Sequence, residues 1–199
     1  MRVLMFGWEF PPHISGGLGT ASYGLTKGMA TLDDLEVIFV VPKAWGDEDK
    51  TKVRLVGANQ VPVAFKQVYY KGFRRTLEKI EVSSKIVPYT DPEDFWKMTR
   101  SEVSGFNLFV QTNSRGTVDF SGRYDNYLLD EINRYAIVAS VIAEENEFDI
   151  IHAHDWLAYP AGIAAMEVSG KPLVIHVHAT DFDRSGCNVN PDVYRIEKS

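Results

Sequence analysis

Three short clusters in this 199-residue sequence carry residue types that can do chemistry. The first is Ser15-Gly16-Gly17-Leu18-Gly19, close behind Glu9-Phe10-Pro11-Pro12. Glycines at the mouth of a helix leave backbone N–H groups unpaired, with the positive end of the helix dipole behind them. Without side chains, they also let a phosphate or a sugar approach the main chain. The run lacks the Gly-X-Gly-X-X-Gly spacing of dinucleotide sites, which disfavours a nicotinamide oxidoreductase, and no Walker lysine follows it. A purely structural turn is the competing reading. The second cluster is His152-Ala153-His154-Asp155-Trp156. In a strand, His152 and His154 point to one face, and Asp155 is placed to cap a following helix. For His152 a hydrogen-bonded core histidine is the plainer reading. A zinc site from His152, His154 and Asp155 finds no ligand spacing elsewhere to complete it, so no metal is expected. The third is Ile175-His176-Val177-His178-Ala179-Thr180-Asp181, with His178 where an apolar run ends.

Something must bring these clusters together. Val3–Phe6 and Val37–Val41 are short apolar runs of the kind that form buried parallel strands, and Thr20–Leu32 between them has helical spacing, with Tyr23, Leu25, Met29 and Leu32 on one face. Strand, helix and strand make a right-handed βαβ unit. Tyr127–Asn146 reads as a long amphipathic helix, 149–154 as a strand, and Trp156–Val168 as a helix closed by Gly170. A further strand covers 172–178. The expected fold is α/β, a doubly wound, Rossmann-like parallel sheet, whose ligands bind at the carboxyl ends of the strands. All three clusters stand at such ends.

The middle of the chain breaks this rhythm. Residues from about 51 to 123 read as a β-rich insertion, with antiparallel ribbons at 53–56, 61–65, 67–70 and 77–82 and a helix start at Asp91-Pro92. Residues 100–123 read mostly as loop. Tyr69, Tyr70, Phe73, Trp96 and Phe106 can stack on sugar rings, although packing a small local core is the simpler use for them.

Bulk properties narrow the function classes. With 27 acidic against 21 basic residues the net charge is −6, so a nucleic-acid partner is not expected. Cys187 is the single cysteine, which rules out an internal disulfide and a cysteine-based zinc site. No stretch approaches the roughly 20 apolar residues of a membrane span, and the amino terminus is too briefly apolar for a signal peptide; the expected compartment is the cytoplasm.

Glu9-Phe10-Pro11-Pro12, Gly16-Gly17-Leu18, His154-Asp155-Trp156 and His178 after an apolar strand together resemble the amino-terminal domain of bacterial and archaeal glycogen and starch synthases. They also resemble related retaining glycosyltransferases with two Rossmann-like domains, the GT-B architecture. The resemblance implies glucose transfer from ADP-glucose or UDP-glucose to an α-1,4-glucan, with retention and without a metal or cofactor. It implies that residues 1–199 form the acceptor-side domain, that the nucleotide-sugar domain lies beyond Ser199, and that this part alone is inactive. Asp155 and His178 would contact the sugars at the reacting centre as catalytic residues. Glu9, Gly16, Gly17, Leu18, Gly19 and Trp156 would contact substrate, the glycine backbone facing the donor diphosphate. Many family members carry a lysine two residues before the glycine pair, where this chain has Ile14. A related transferase with another acceptor and a stand-alone carbohydrate-binding module are the alternatives.

Overall fold

The apolar runs become the strands expected of them. In a computed structural model, which describes residues 1–49, 53–63, 112–124 and 127–199, β1 (Arg2–Phe6), β2 (Glu36–Val41), β3 (Arg54–Gly57), β4 (Ile150–His154) and β5 (Leu173–His176) form a five-stranded sheet. The strand order is β3-β2-β1-β4-β5, and every pairing is parallel. The order reverses direction at β1, so the crevice between the ends of β1 and β4 is the topological switch point where such sheets take ligands.

Two layers sandwich the sheet, and the alternation of side chains decides which residue meets which layer. Leu4, Phe6, Ile38, Val40, Ile151 and Ala153 face helices α2 (Leu128–Glu145) and α3 (Asp155–Ser169), meeting Tyr135, Val138, Ile142, Leu157, Ala161 and Ala165 in one buried cluster. Val3, Met5, Val37, Phe39 and Val41 face the other way, towards Tyr23, Leu25 and Met29 of α1 (Gly17–Met29). Tyr135 is wholly buried, and its hydroxyl donates to the carbonyls of Gly7 (3.0 Å) and Val40 (2.8 Å), tying α2 to the ends of β1 and β2. Gly162 lets α3 lie close to the sheet: a Cβ there would stand 2.8 Å from the Ala153 Cβ and 2.9 Å from Leu173 Cδ1.

The structure corrects the sequence reading at several points. Residues 53–56 were expected to form an antiparallel ribbon, but β3 adds a fifth parallel strand beside β2, with Ile38 opposite Arg54 and Val41 opposite Gly57. Among the described residues of this region only Pro62, bridged to Thr117, pairs antiparallel. Helix α1 begins at Gly17 and ends at Met29; its fully buried face is the small-residue set Gly19, Ser22 and Thr26, and Leu32 is exposed. Residues not assigned from the sequence form α5 (Pro191–Lys198), capped by Asn190, whose side chain accepts from the N–H groups of Asp192 and Val193. The expected ribbons at 67–70 and 77–82, the helix start at Asp91 and the five insertion aromatics lie outside the described residues. Gly170 closes α3 in the left-handed conformation, φ 65°, its N–H bonded to the Met166 carbonyl. Among the described residues no helix is long and apolar enough to cross a membrane.

Candidate active site

The three clusters lie at the carboxyl ends of β1, β4 and β5, which are neighbours in the sheet. After β1 the chain runs through Trp8 and Glu9, both buried, into the turn before α1. Glu9 shapes that turn from within, accepting hydrogen bonds from both the N–H (3.2 Å) and the hydroxyl of Ser15. Ser15 is thereby drawn away from helix capping. Among the described residues no side chain caps the first turn of α1, and that turn holds no acidic residue. Its N–H groups are therefore available to an anion, as the helix-terminus argument requires.

The glycines of this turn separate into two kinds. A Cβ added to Gly16 or Gly17 would meet nothing within 4 Å, and both residues are exposed. Gly19 is buried, and a Cβ there would lie 2.4 Å from Ile14 Cγ2 and 3.1 Å from the Glu9 Cβ. So Gly16 and Gly17 are open to an approaching ligand, whereas Gly19 is needed for packing. Leu18 and Trp156 are half-buried and pack against the core cluster shared with α2 and α3.

Asp155 does not act as the cap expected of it. It is the first residue of α3, in a left-handed conformation (φ 63°), and the preceding His154 takes the cap position without a side-chain hydrogen bond. That conformation costs a non-glycine residue about 1 kcal/mol or more, least for Asp and Asn, and such strain gathers at functional sites. The side chain is 4% exposed. One carboxylate oxygen, Oδ2, is paired with Arg184, and the other is buried without a hydrogen-bond partner among the described residues. Arg184 comes from α4 (Asp181–Ser185), which starts with a capping box between Thr180 and Asp183. Within the segment after β5, Asp181 accepts from the Asn190 N–H (2.5 Å) and Glu197 accepts from the Asp181 N–H (2.8 Å), which braces the short helix that carries Arg184.

His178 stands where expected, beside the end of β4, with its Nε2 3.0 Å from His154 Nδ1. Burial lowers its pKa, as do the charges of His176 and Arg184, while Asp155 opposes them. The ring is neutral near pH 7 and is therefore a hydrogen-bonding group, not a cation. Residues that the sequence did not single out complete the rim. The Tyr124 hydroxyl lies by Glu9 and Ser15, and its pKa is raised by burial first, then by the Glu9 carboxylate and, more weakly, by Asp155. Its ring leans on Trp8, with centroids 6.4 Å apart, and Trp8 Nε1 is buried without a partner among the described residues. Nothing in the sequence pairs Tyr124 or Arg184 with Asp155; only the fold does.

Comparison with known proteins bears on the family of the chain. The family model described as starch synthase catalytic domain matches residues 2–193. Glycogen synthase of Mycobacterium tuberculosis is 23% identical over 194 residues, which cover 92% of this chain and 35% of that protein. Glycogen synthase of Chlamydia trachomatis is 28% identical over 168 residues, 78% of this chain and 28% of that one. An uncharacterized glycosyltransferase of Bacillus subtilis is 30% identical over 91 residues, 45% of this chain and 24% of its own length. The chain thus spans about a third or less of the length of the curated relatives it matches.

Proposed function

Because this chain belongs to the starch synthase catalytic domain family, a group of glycogen synthase-like glycosyltransferases, we propose that it is the acceptor-side half of an enzyme passing glucose from ADP-glucose or UDP-glucose to an α-1,4-glucan with retention. The observation that carries this reading is the placing of Gly16-Gly17, Asp155 and His178 after the carboxyl ends of three neighbouring parallel strands, with a buried Asp155 oxygen left unpartnered among the described residues. In the proposed complex the uncapped first turn of α1 faces the donor diphosphate, and its N–H groups and dipole offset the charge building on the leaving group. His178, neutral, donates a hydrogen bond to the transferred glucose. Asp155 accepts from a sugar hydroxyl through its free oxygen, held in place by Arg184 and by the fixed backbone at φ 63°. Such groups act by position and preorganised dipoles and need no metal. Glu9 works through the turn: it fixes Ser15 and so the height of the glycine pair. Leu18, Gly19 and Trp156 support the same turns.

The test is incorporation of glucose into glycogen from either donor, measured on the full polypeptide and separately on residues 1–199. We expect turnover only where a nucleotide-sugar domain is joined to this half, and its loss on His178→Ala and on Asp155→Asn. A two-domain protein that elongates no glucan, or undiminished activity after His178→Ala, overturns the reading. Turnover by residues 1–199 alone overturns the division of labour. One observation favours a second acceptor class within the same chemistry. Ile14 is 38% exposed at the mouth of the turn, where many family members carry a lysine, and its side chain is committed to Gly19. A transferase that prefers a small acceptor would show activity in an acceptor screen and none with glycogen.

A further inference from the structure

Register brings together more histidine than either strand contains. β4 and β5 pair with His154 opposite His176 and His152 opposite Val174, so His152, His154 and His176 share one face of the sheet. Ring centroids are 4.4 Å apart for His152–His154, 4.8 Å for His154–His176 and 5.3 Å for His152–His176. One ring nitrogen from each of the three can be chosen so that all lie within 4.8 Å of one another. His178 extends the group, its ring stacked on His176 at 4.4 Å. Two nitrogen pairs are already close, His154 Nδ1 to His178 Nε2 at 3.0 Å and His176 Nδ1 to His152 Nε2 at 3.3 Å. Two nitrogens on one tetrahedral zinc, each about 2.0 Å from the metal, lie about 3.3 Å apart. Hydrogen bonds between rings account for these two pairs but leave the Nε2 of fully buried His154 without a partner among the described residues.

We propose that His152, His154 and His176 bind one divalent transition-metal ion of the zinc type, with His178 within reach as a fourth donor. The all-imidazole donor set selects the class: zinc, copper, nickel and iron take such ligands, whereas magnesium and calcium require oxygen. Sequence spacing alone shows only two His-X-His pairs 24 residues apart, and parallel pairing in this register makes them one site. The ion joins β5 to β4, so its role is to fix the strand end from which His178 projects. It takes no part in the transfer step.

The experiment uses the tag-free 199-residue chain, stripped with a chelator, and titrates Zn²⁺ against a chromophoric competitor and Co²⁺ by its visible spectrum. Expected are one equivalent per chain, an intense tetrahedral-type Co²⁺ spectrum and a higher thermal midpoint with Zn²⁺. His152→Gln and His176→Gln should each weaken binding by more than the roughly 10–100-fold that loss of an outer-shell partner costs. His13→Gln, at the histidine bonded to Asp47 outside the cluster, should leave it unchanged. Absence of a retained equivalent, a weak octahedral-type Co²⁺ spectrum, or unchanged affinity in both cluster variants overturns the proposal. If the variants fail to fold, the stoichiometry and Co²⁺ spectrum of the unaltered chain decide it.

Discussion

Arg184→Met is the substitution that most directly probes how the candidate site is held. It keeps the length and apolar stem of the side chain and removes the only partner that the described residues give the Asp155 carboxylate. At contact distance and an effective dielectric of about 20, two unit charges attract by about 4 kcal/mol. Breaking a fully buried pair from one side typically costs about 3–5 kcal/mol, because the remaining charge has neither partner nor water. Asp155 meets that condition at 4% exposure, but Arg184 is 35% exposed, so solvent already screens part of the attraction. The expected loss is therefore about 2–3 kcal/mol. Asp155→Asn alone should cost less than about 1 kcal/mol, since Asn tolerates φ 63° and the stranded arginine can reach water. The double variant should recover most of the loss, giving a coupling of about 1.5 kcal/mol or more. Urea unfolding followed by circular dichroism, with the slope m held constant across the four proteins, measures all three values. If Arg184→Met falls within about 0.5 kcal/mol of the parent chain, or the double variant shows no recovery, the buried-pair argument fails.

Other outcomes follow from the packing and the titrations. Gly16→Ala and Gly17→Ala should leave the unfolding midpoint in place, whereas Gly19→Ala, whose Cβ would collide with Ile14, should cost about 1–3 kcal/mol; equal effects at the three sites would erase the distinction between open and packed glycines. Tyr135→Phe should cost about 1–3 kcal/mol in urea, because the buried Gly7 carbonyl loses its donor; no measurable shift would show that water replaces the hydroxyl. Burial, then the neighbouring histidines, lower the pKa of His152 to about 4 and of His154 to about 3 from the ordinary 6.5. The unfolded chain then binds protons that the folded chain refuses, so in chelator-treated protein stability is full above about 6.5 and falls as pH drops towards 3. His154→Gln should flatten that decline, and parallel pH profiles for variant and parent would contradict the assignment.

Much of this architecture was legible because it repeats simple periods. Four of the five strands and the long helix at 128–145 are continuous apolar runs or clean helical spacing, and a glycine with positive φ marks the end of α3 where its type predicts. β3, an edge strand among the described residues, was misread because it is only half covered. Arg54 is exposed and Leu55 and Val56 are half-buried, so the mixed pattern imitates a solvated ribbon. The reading of α1 held in part: Tyr23, Leu25 and Met29 pack against the core as their spacing predicts, but Leu32 is exposed, and the fully buried Gly19, Ser22 and Thr26 are small residues that a search for large apolar ones overlooks. Within the candidate site, Asp155 and His178 were singled out in the sequence because they follow apolar strands. Arg184, Tyr124 and the union of His152 with His176 depend on tertiary register, for which no local spacing exists.

β5 has one more consequence, for the behaviour of the chain in solution. Among the described residues it is the edge of the sheet, and Val174 and Ile175, on opposite faces, are 45% and 40% exposed. Just beyond the strand, Val177 is 55% exposed. An open edge of β-branched residues without a charge or proline offers unpaired main-chain groups and apolar surface to any second strand. At high concentration such an edge is expected to favour strand-to-strand recruitment, which light scattering of the chain and of Ile175→Lys would measure.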